Sequence, residues 1–223
     1  MKPRVLVGEA LSPGGERLTL HCHDGCYEVR VGGELLMSSG EHHSEEQMAE
    51  HLCDHEAVPP AALRVLVAGL GVGYTLRAAL DRLGPASEIV VVELMPAVVE
   101  WNRGPLAHLA GRPLEDPRVQ LEVMDLAAYL RTEPEPFDVV LMDIDNGPEA
   151  FTIDRNGHFY GRRGLLRLRR ILRPGGKLVV WSAFEARTFP GSLRNAGFTT
   201  DIVRTRSRGD RGAHHTLYVA RLS

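Results

Sequence analysis

Five apolar runs of about one strand's length, at 64–68, 88–93, 119–125, 137–143 and 177–183, constrain this chain more than any other feature. They alternate with helical stretches at 74–83, 96–109, 126–132, 162–172 and 188–196. A strand that is apolar at nearly every position is covered on both faces, which requires a parallel sheet with crossover helices. Two further strands at 198–203 and 216–220, joined by an Arg- and Gly-rich loop, complete the pattern. The expected fold is α/β, a doubly wound, seven-stranded, mostly parallel sheet.

The first 58 residues read differently. Leu18, Leu20, Cys22, Tyr27, Val29, Val31, Leu35 and Met37 alternate with the two-residue period of antiparallel strands. Asp24-Gly25 and Gly32-Gly33 stand where two-residue turns are needed, because glycine accepts positive φ. Ser44 precedes a helical stretch at 45–54, and Val58-Pro59-Pro60 forms a stiff connector. Two units are therefore expected, a small β meander with a helix at 1–58 and the sheet domain at 59–223.

Composition removes several classes of function. The 223 residues carry a net charge of −3, with 43% hydrophobic and 25% charged residues, so no basic field invites nucleic acid. No apolar run reaches the ~18 residues of a membrane span. Three cysteines, an odd number, argue for a reducing compartment and a cytoplasmic location. His21-Cys22-His23, Cys26, His42-His43, His51, Cys53 and His55 match no structural zinc spacing, and no metal is expected. Arg204, Arg206, Arg208 and Arg211 with His214-His215 read as a solvated hairpin loop. Trp181 reads as core and Ser182 as a substrate contact.

Ligands of an open parallel sheet bind beyond the C-terminal ends of its strands. The first run continues into Gly69-Leu70-Gly71-Val72-Gly73, where a backbone without side chains allows close approach to a ligand. The next three runs end in Glu93, Asp125 and Asp143. Glu93, twenty residues beyond Gly73, is placed to accept ribose hydroxyl hydrogens. Asp125 also directly precedes a helix and suits its N-cap. Tyr74 occupies the position where a dinucleotide fingerprint needs glycine, and no Gly-Lys-Ser/Thr is present. A nucleoside with an uncharged 5′ linkage fits better, and S-adenosylmethionine is the common example.

On these residues the chain resembles the spermidine synthases. Residues 64–80 (RVLVAGLGVGYTLRAAL) are similar to that family's glycine loop followed by Leu-Arg. Glu93 in VVVEL matches its ribose acid and Asp125 its adenine-side acid, while FDVVLMDIDNGP resembles the strand that ends in its catalytic Asp. Phe159-Tyr160 and LRPGGKLVVW match two further elements. The resemblance implies a class I S-adenosylmethionine-dependent transferase fold with a β N-terminal region. It implies Gly69, Gly71, Gly73, Glu93 and Asp125 as cofactor-binding residues and Asp143 as the catalytic base. Asp145, Asn146, Glu45, Glu46 and Tyr160 would bind substrate.

The chain departs from that family at Val72, where an Asp holds the amine of decarboxylated S-adenosylmethionine, and at Leu36, where a Gln serves the same ligand. Glu45-Glu46 replace a Tyr-His pair of the polyamine site. These departures favour methyl transfer from S-adenosylmethionine to a small amine-bearing acceptor. The alternatives are aminopropyl transfer from the decarboxylated donor and a non-catalytic nucleoside-binding module. A homodimer is compatible with the exposed β prefix.

Overall fold

The computed structural model describes residues 3–53, 62–144 and 157–222. Four antiparallel strands open the chain: β1 (Val5–Leu11), β2 (Arg17–His23), β3 (Cys26–Val31) and β4 (Glu34–Ser38), paired in that order. The meander thus gains a strand, β1, that the alternation at 18–37 does not announce. A short helix α1 (His43–Met48) and a 3-10 turn (Ala49–Leu52) follow, covering the described part of the expected helix.

The second sheet is built from β5 (Arg64–Ala68), β6 (Glu88–Glu93), β7 (Val119–Val123), β8 (Phe137–Met142), β9 (Leu172–Ser182), β10 (Phe198–Arg208) and β11 (Arg211–Leu222). Its order is β10-β11-β9-β8-β5-β6-β7. The five strands from β9 to β7 pair in parallel, whereas β11 runs antiparallel to both β9 and β10. The crossover helices are α2 (Tyr74–Arg82), α3 (Pro96–Arg103), α4 (Leu126–Arg131), α5 (Gly157–Tyr160), α6 (Arg162–Arg170) and α7 (Phe189–Asn195).

The strands are apolar throughout because alternate residues feed two separate cores. Leu66, Val90, Val140 and Leu178 face α4, α6 and α7, while Val65, Val67, Ile89, Val91 and Leu141 face α2 and α3. Leu18, Leu20 and Val29 of the meander and Met48 of α1 are buried in this second core. The N-terminal segment therefore forms part of the same apolar interior as the sheet domain.

Two expectations need correction. The loop between the last strands is a short turn, since β10 and β11 remain paired out to Arg208 and Arg211. The helix expected over 96–109 stops at Arg103, where Gly104 caps it by donating to the carbonyls of Glu100 and Trp101. Among the described residues no helix is long and apolar enough to cross a membrane.

Candidate active site

Beyond the C-terminal ends of β5, β6 and β8 lies a cavity of about 290 Å³. Its floor is the glycine loop. Gly69 has φ +92°, and a Cβ there would lie 2.0 Å from the backbone oxygen of Asp143, so only glycine lets the ends of β5 and β8 approach. Asn102 of α3 braces the loop by donating through Nδ2 to the Gly71 carbonyl at 2.8 Å. Gly73 leads into α2 with φ +93°, and its Cβ position is crowded by Pro113 and Asn102.

Glu93, at the end of β6, is 7% exposed. Its Oε2 accepts from the Leu70 amide and its Oε1 from the Met95 amide, each at 2.8 Å. Burial still raises its pKa, because desolvation outweighs those amides. Each carboxylate oxygen retains a further lone pair, so the group is positioned to accept from a ligand. Asp125 caps α4 by accepting from the Ala128 amide at 2.9 Å, and it also lines the cavity. Both readings of Asp125 therefore coexist in one side chain.

Asp143 follows β8 and accepts from the Thr75 hydroxyl at 2.9 Å. Desolvation raises its pKa to about 6 against the lowering effect of Thr75. Across the cavity, α1 contributes Glu45, whose pKa is driven well above the ordinary value by burial, then by Asp143 and Glu46. Trp181 and His215 line the same wall. The Trp181 indole donates to Ser44 Oγ at 3.0 Å, and Ser44 Oγ lies 2.7 Å from His215 Nδ1. An indole only donates. Ser44 Oγ therefore spends one lone pair on Trp181 and keeps a proton and a second lone pair, so it pairs with either tautomer of His215 at Nδ1. Burial lowers the His215 pKa, so the ring stays neutral near pH 7.

Of the residues singled out from sequence, Gly69, Gly71, Glu93, Asp125, Asp143 and Glu45 meet at this cavity. Gly73 shapes the loop from outside the lining. Glu46 is turned away, 2.9 Å from His42 Nδ1, on a separate surface groove with Tyr74 and Arg77. Tyr160 packs into the core edge-on to Phe189, with ring centroids 5.7 Å apart, while its neighbour Phe159 lines the cavity. Ser182 is consumed by Phe184, whose carbonyl accepts its hydroxyl at 2.6 Å. Asp145 and Asn146 lie outside the described residues.

Ser44, Thr75, Trp181 and His215 are site residues that the sequence reading does not select. For His215 the signal exists: in a strand it shares a face with Leu217 and Val219, both packed in the second core. Among the described residues no group of three or more His, Cys, Asp or Glu is arranged to hold a metal.

The spermine/spermidine synthase domain model matches residues 42–184. The chain belongs to that family. A polyamine aminopropyltransferase of Mycobacterium tuberculosis (strain ATCC 25618 / H37Rv) is 35% identical over 153 residues, 65% of this chain and 28% of the relative. Polyamine aminopropyltransferase 2 of Pseudomonas aeruginosa is 36% identical over 156 residues, 66% of this chain and 42% of the relative. The chain thus spans less than half the length of these curated relatives.

In fold, it is similar to spermidine synthase in complex with the transition-state analogue AdoDATO, with TM-score 0.73 and 17% identity over 98% of this chain and 72% of that one. Human methyltransferase-like protein 13 in complex with SAH is more distant, with TM-score 0.59, 21% identity and 82% of each chain covered. These likenesses show the class I methyltransferase-like fold. The expected preference for methyl transfer is not supported, because the curated relatives are aminopropyltransferases.

Proposed function

We propose that this chain is an aminopropyltransferase that moves the aminopropyl group of decarboxylated S-adenosylmethionine to an amine. One observation supports this reading above the rest: Glu41, Glu45, Glu93, Asp125 and Asp143 line a single cavity to which no described lysine or arginine contributes. Glu41 is already paired with Arg208 at 3.0 Å, but Glu45, Glu93 and Asp143 are desolvated together, and such carboxylates favour a cationic ligand over an anionic one. A donor that is a sulfonium without a carboxylate suits that wall better than S-adenosylmethionine, whose carboxylate would be repelled.

The chain's own groups divide the work. Glu93 and the glycine loop hold the nucleoside, and Asp125 borders it. The amine lone pair attacks the carbon next to sulfur, the C–S bond breaks, and its electron pair leaves on a neutral thioether. An ammonium has no lone pair, so Asp143 accepts the proton that the acceptor sheds, and in-line alignment supplies much of the remaining acceleration. Val72 and Leu36 present apolar surface to the donor, so the charge complementarity of this site comes from the α1 side and from Asp143.

The test is to incubate the full chain with either donor form and a panel of amines, following products by mass spectrometry. Aminopropylated amine together with methylthioadenosine is the expected result. A methylated amine formed from S-adenosylmethionine, with none formed from the decarboxylated donor, would overturn the proposal.

A further inference from the structure

We propose that the outer face of α6 and α7 docks on the phosphate backbone of duplex DNA. The chain's net charge of −3 conceals this face. Residues 161–200 hold eight arginines and one lysine against a single acid, Glu185, and Glu185 is paired with Arg204. The fold gathers them. Both helices run from the ligand-binding edge of the sheet back to its opposite edge, α6 from β8 to β9 and α7 from β9 to β10. They lie side by side, with Leu165 and Leu168 of α6 and Leu193 of α7 in one core. Arg163, Arg167 and Arg170 follow on the outer side of α6 at i, i+4 and i+7, a row about 10 Å long. Arg162, Arg187 and Arg194 flank that row, and all six are exposed.

These arginines do nothing for the helix that carries them. Arg163 repels Arg167, and Arg167 repels Arg170, each across a single turn. Arg162 and Arg163 stand in the first turn of α6, where the helix dipole favours acids. Among the described residues, Arg162, Arg163, Arg167, Arg170 and Arg194 form no ion pair, whereas exposed Arg17, Arg103 and Arg112 are each paired with a glutamate. A polyanion laid along the face removes both costs. Among the described residues, none of α6 or α7 exposes a large apolar or aromatic side chain. A protein interface needs an apolar centre, a membrane surface an apolar wedge, and a single strand aromatic platforms for its bases. Guanidinium groups instead match phosphate oxygens, which a duplex offers in unbroken rows. The 2′-hydroxyls that mark duplex RNA need neighbouring acceptors, which an all-guanidinium row lacks, so the partner is DNA. None of these arginines lines the acidic cavity, and the proposal does not rest on the reaction assigned to it.

The test is fluorescence anisotropy of the full chain with a labelled DNA duplex about two helical turns long. Binding is expected to be micromolar at about 50 mM salt, with log K falling against log salt at a slope of about −4. The combined variant Arg163→Gln, Arg167→Gln and Arg170→Gln is expected to bind at least about 10-fold more weakly and to flatten that slope by about 3. Its melting temperature stays level or rises, because the repulsion along α6 is gone. A control carrying Arg17→Gln, Arg103→Gln and Arg112→Gln makes the same change in net charge and is expected to alter affinity less than about threefold. Unchanged DNA affinity in the first variant, or equal losses in the two, overturns the proposal. So does a wild type that binds no duplex at that salt, or one that prefers duplex RNA of the same length or vesicles of anionic phospholipid.

Discussion

The two ends of the cavity hold their acids in opposite ways. At the end proposed for the donor, Glu93 is held by backbone amides of Leu70 and Met95, and Asp125 by the amide of Ala128. At the acceptor end Asp143 has one hydroxyl, from Thr75, and Glu45 has no described donor. Acids bonded to backbone hold the protein's own loops in place as much as they touch ligand. Acids left without donors contribute nothing to the empty fold and wait for a cation. The donor end is thus structural and preorganised, and the acceptor end carries stored electrostatic cost.

The sharpest way to break this comparison is Asp143→Asn. An amide cannot take the proton from the attacking amine, so turnover is expected to fall about 10²- to 10⁴-fold. Donor affinity, measured by calorimetry, stays within a few-fold because the nucleoside wall is untouched. Equal losses in both quantities would mean that Asp143 binds the donor rather than serving the acceptor. In the wild type, kcat/KM should rise as pH increases through about 6, where Asp143 becomes ionised.

Glu93→Gln tests the other end. One of its two oxygens becomes an NH₂ group, which cannot accept from Leu70 or Met95, leaving a buried amide unpaired at a cost of about 1–3 kcal/mol. Both the melting temperature and donor affinity are expected to fall together, which Asp143→Asn does not produce. Unchanged stability would show that the loop is not held by this carboxylate.

Much of the donor end was legible because its signals are local and periodic. Apolar runs broken by glycine or ended by an acid place Gly69, Glu93 and Asp125 on one edge of the sheet from the sequence alone. The acceptor end was less legible because it is assembled from distant segments. Ser44, Trp181 and His215 meet through tertiary packing, and an Arg- and His-rich stretch reads as exposed until the strand is seen to continue to Arg211. Glu45 shares a helical stripe with Ala49 and Leu52, both buried, which marks it as inward-facing. Glu46, one residue on, turns outward to His42. Tyr160 is matched by motif at a helix end, and its ring packs edge-on against Phe189.

Ser44→Ala asks whether the acceptor wall is pinned as described. It removes the acceptor of the Trp181 indole and the partner of His215 Nδ1. The expected cost is about 1–2 kcal/mol of stability, with a several-fold rise in acceptor KM and unchanged donor affinity. Nitrogen chemical shifts of His215 provide a readout that simple destabilisation would not move. In the wild type they should report a single tautomer held by Ser44, and in Ser44→Ala a mixture of tautomers.

The smallest expected effect bears most directly on the stored cost. Glu45 faces Asp143 at the end of β8, Glu46 on its own helix, Tyr74 of α2, and a wall shared with Glu41 and the neutral His215. Its folded-state pKa is raised above the ordinary 4.5, so the native protein binds a proton more tightly than the unfolded chain. That preference is fully present below the unfolded value and is lost as pH rises through the folded one. Half-buried His51 and His215 have lowered values and act in the opposite sense, weakening the fold as pH falls below their ordinary 6.5. Because both proteins retain these histidines, the difference between wild type and Glu45→Gln isolates the carboxylate. Without ligand, Glu45→Gln is expected to melt about 2–4 °C higher at pH 7.5, roughly 1 kcal/mol for a chain of this size. The gap should close towards pH 4.5, where the wild-type carboxyl is protonated and resembles the amide. Saturating diamine should reverse the order at pH 7.5 by stabilising only the protein that keeps its charge. A Glu45→Gln protein that is less stable at every pH would mean that the carboxylate has a partner within the fold, and the contrast between the two ends would collapse.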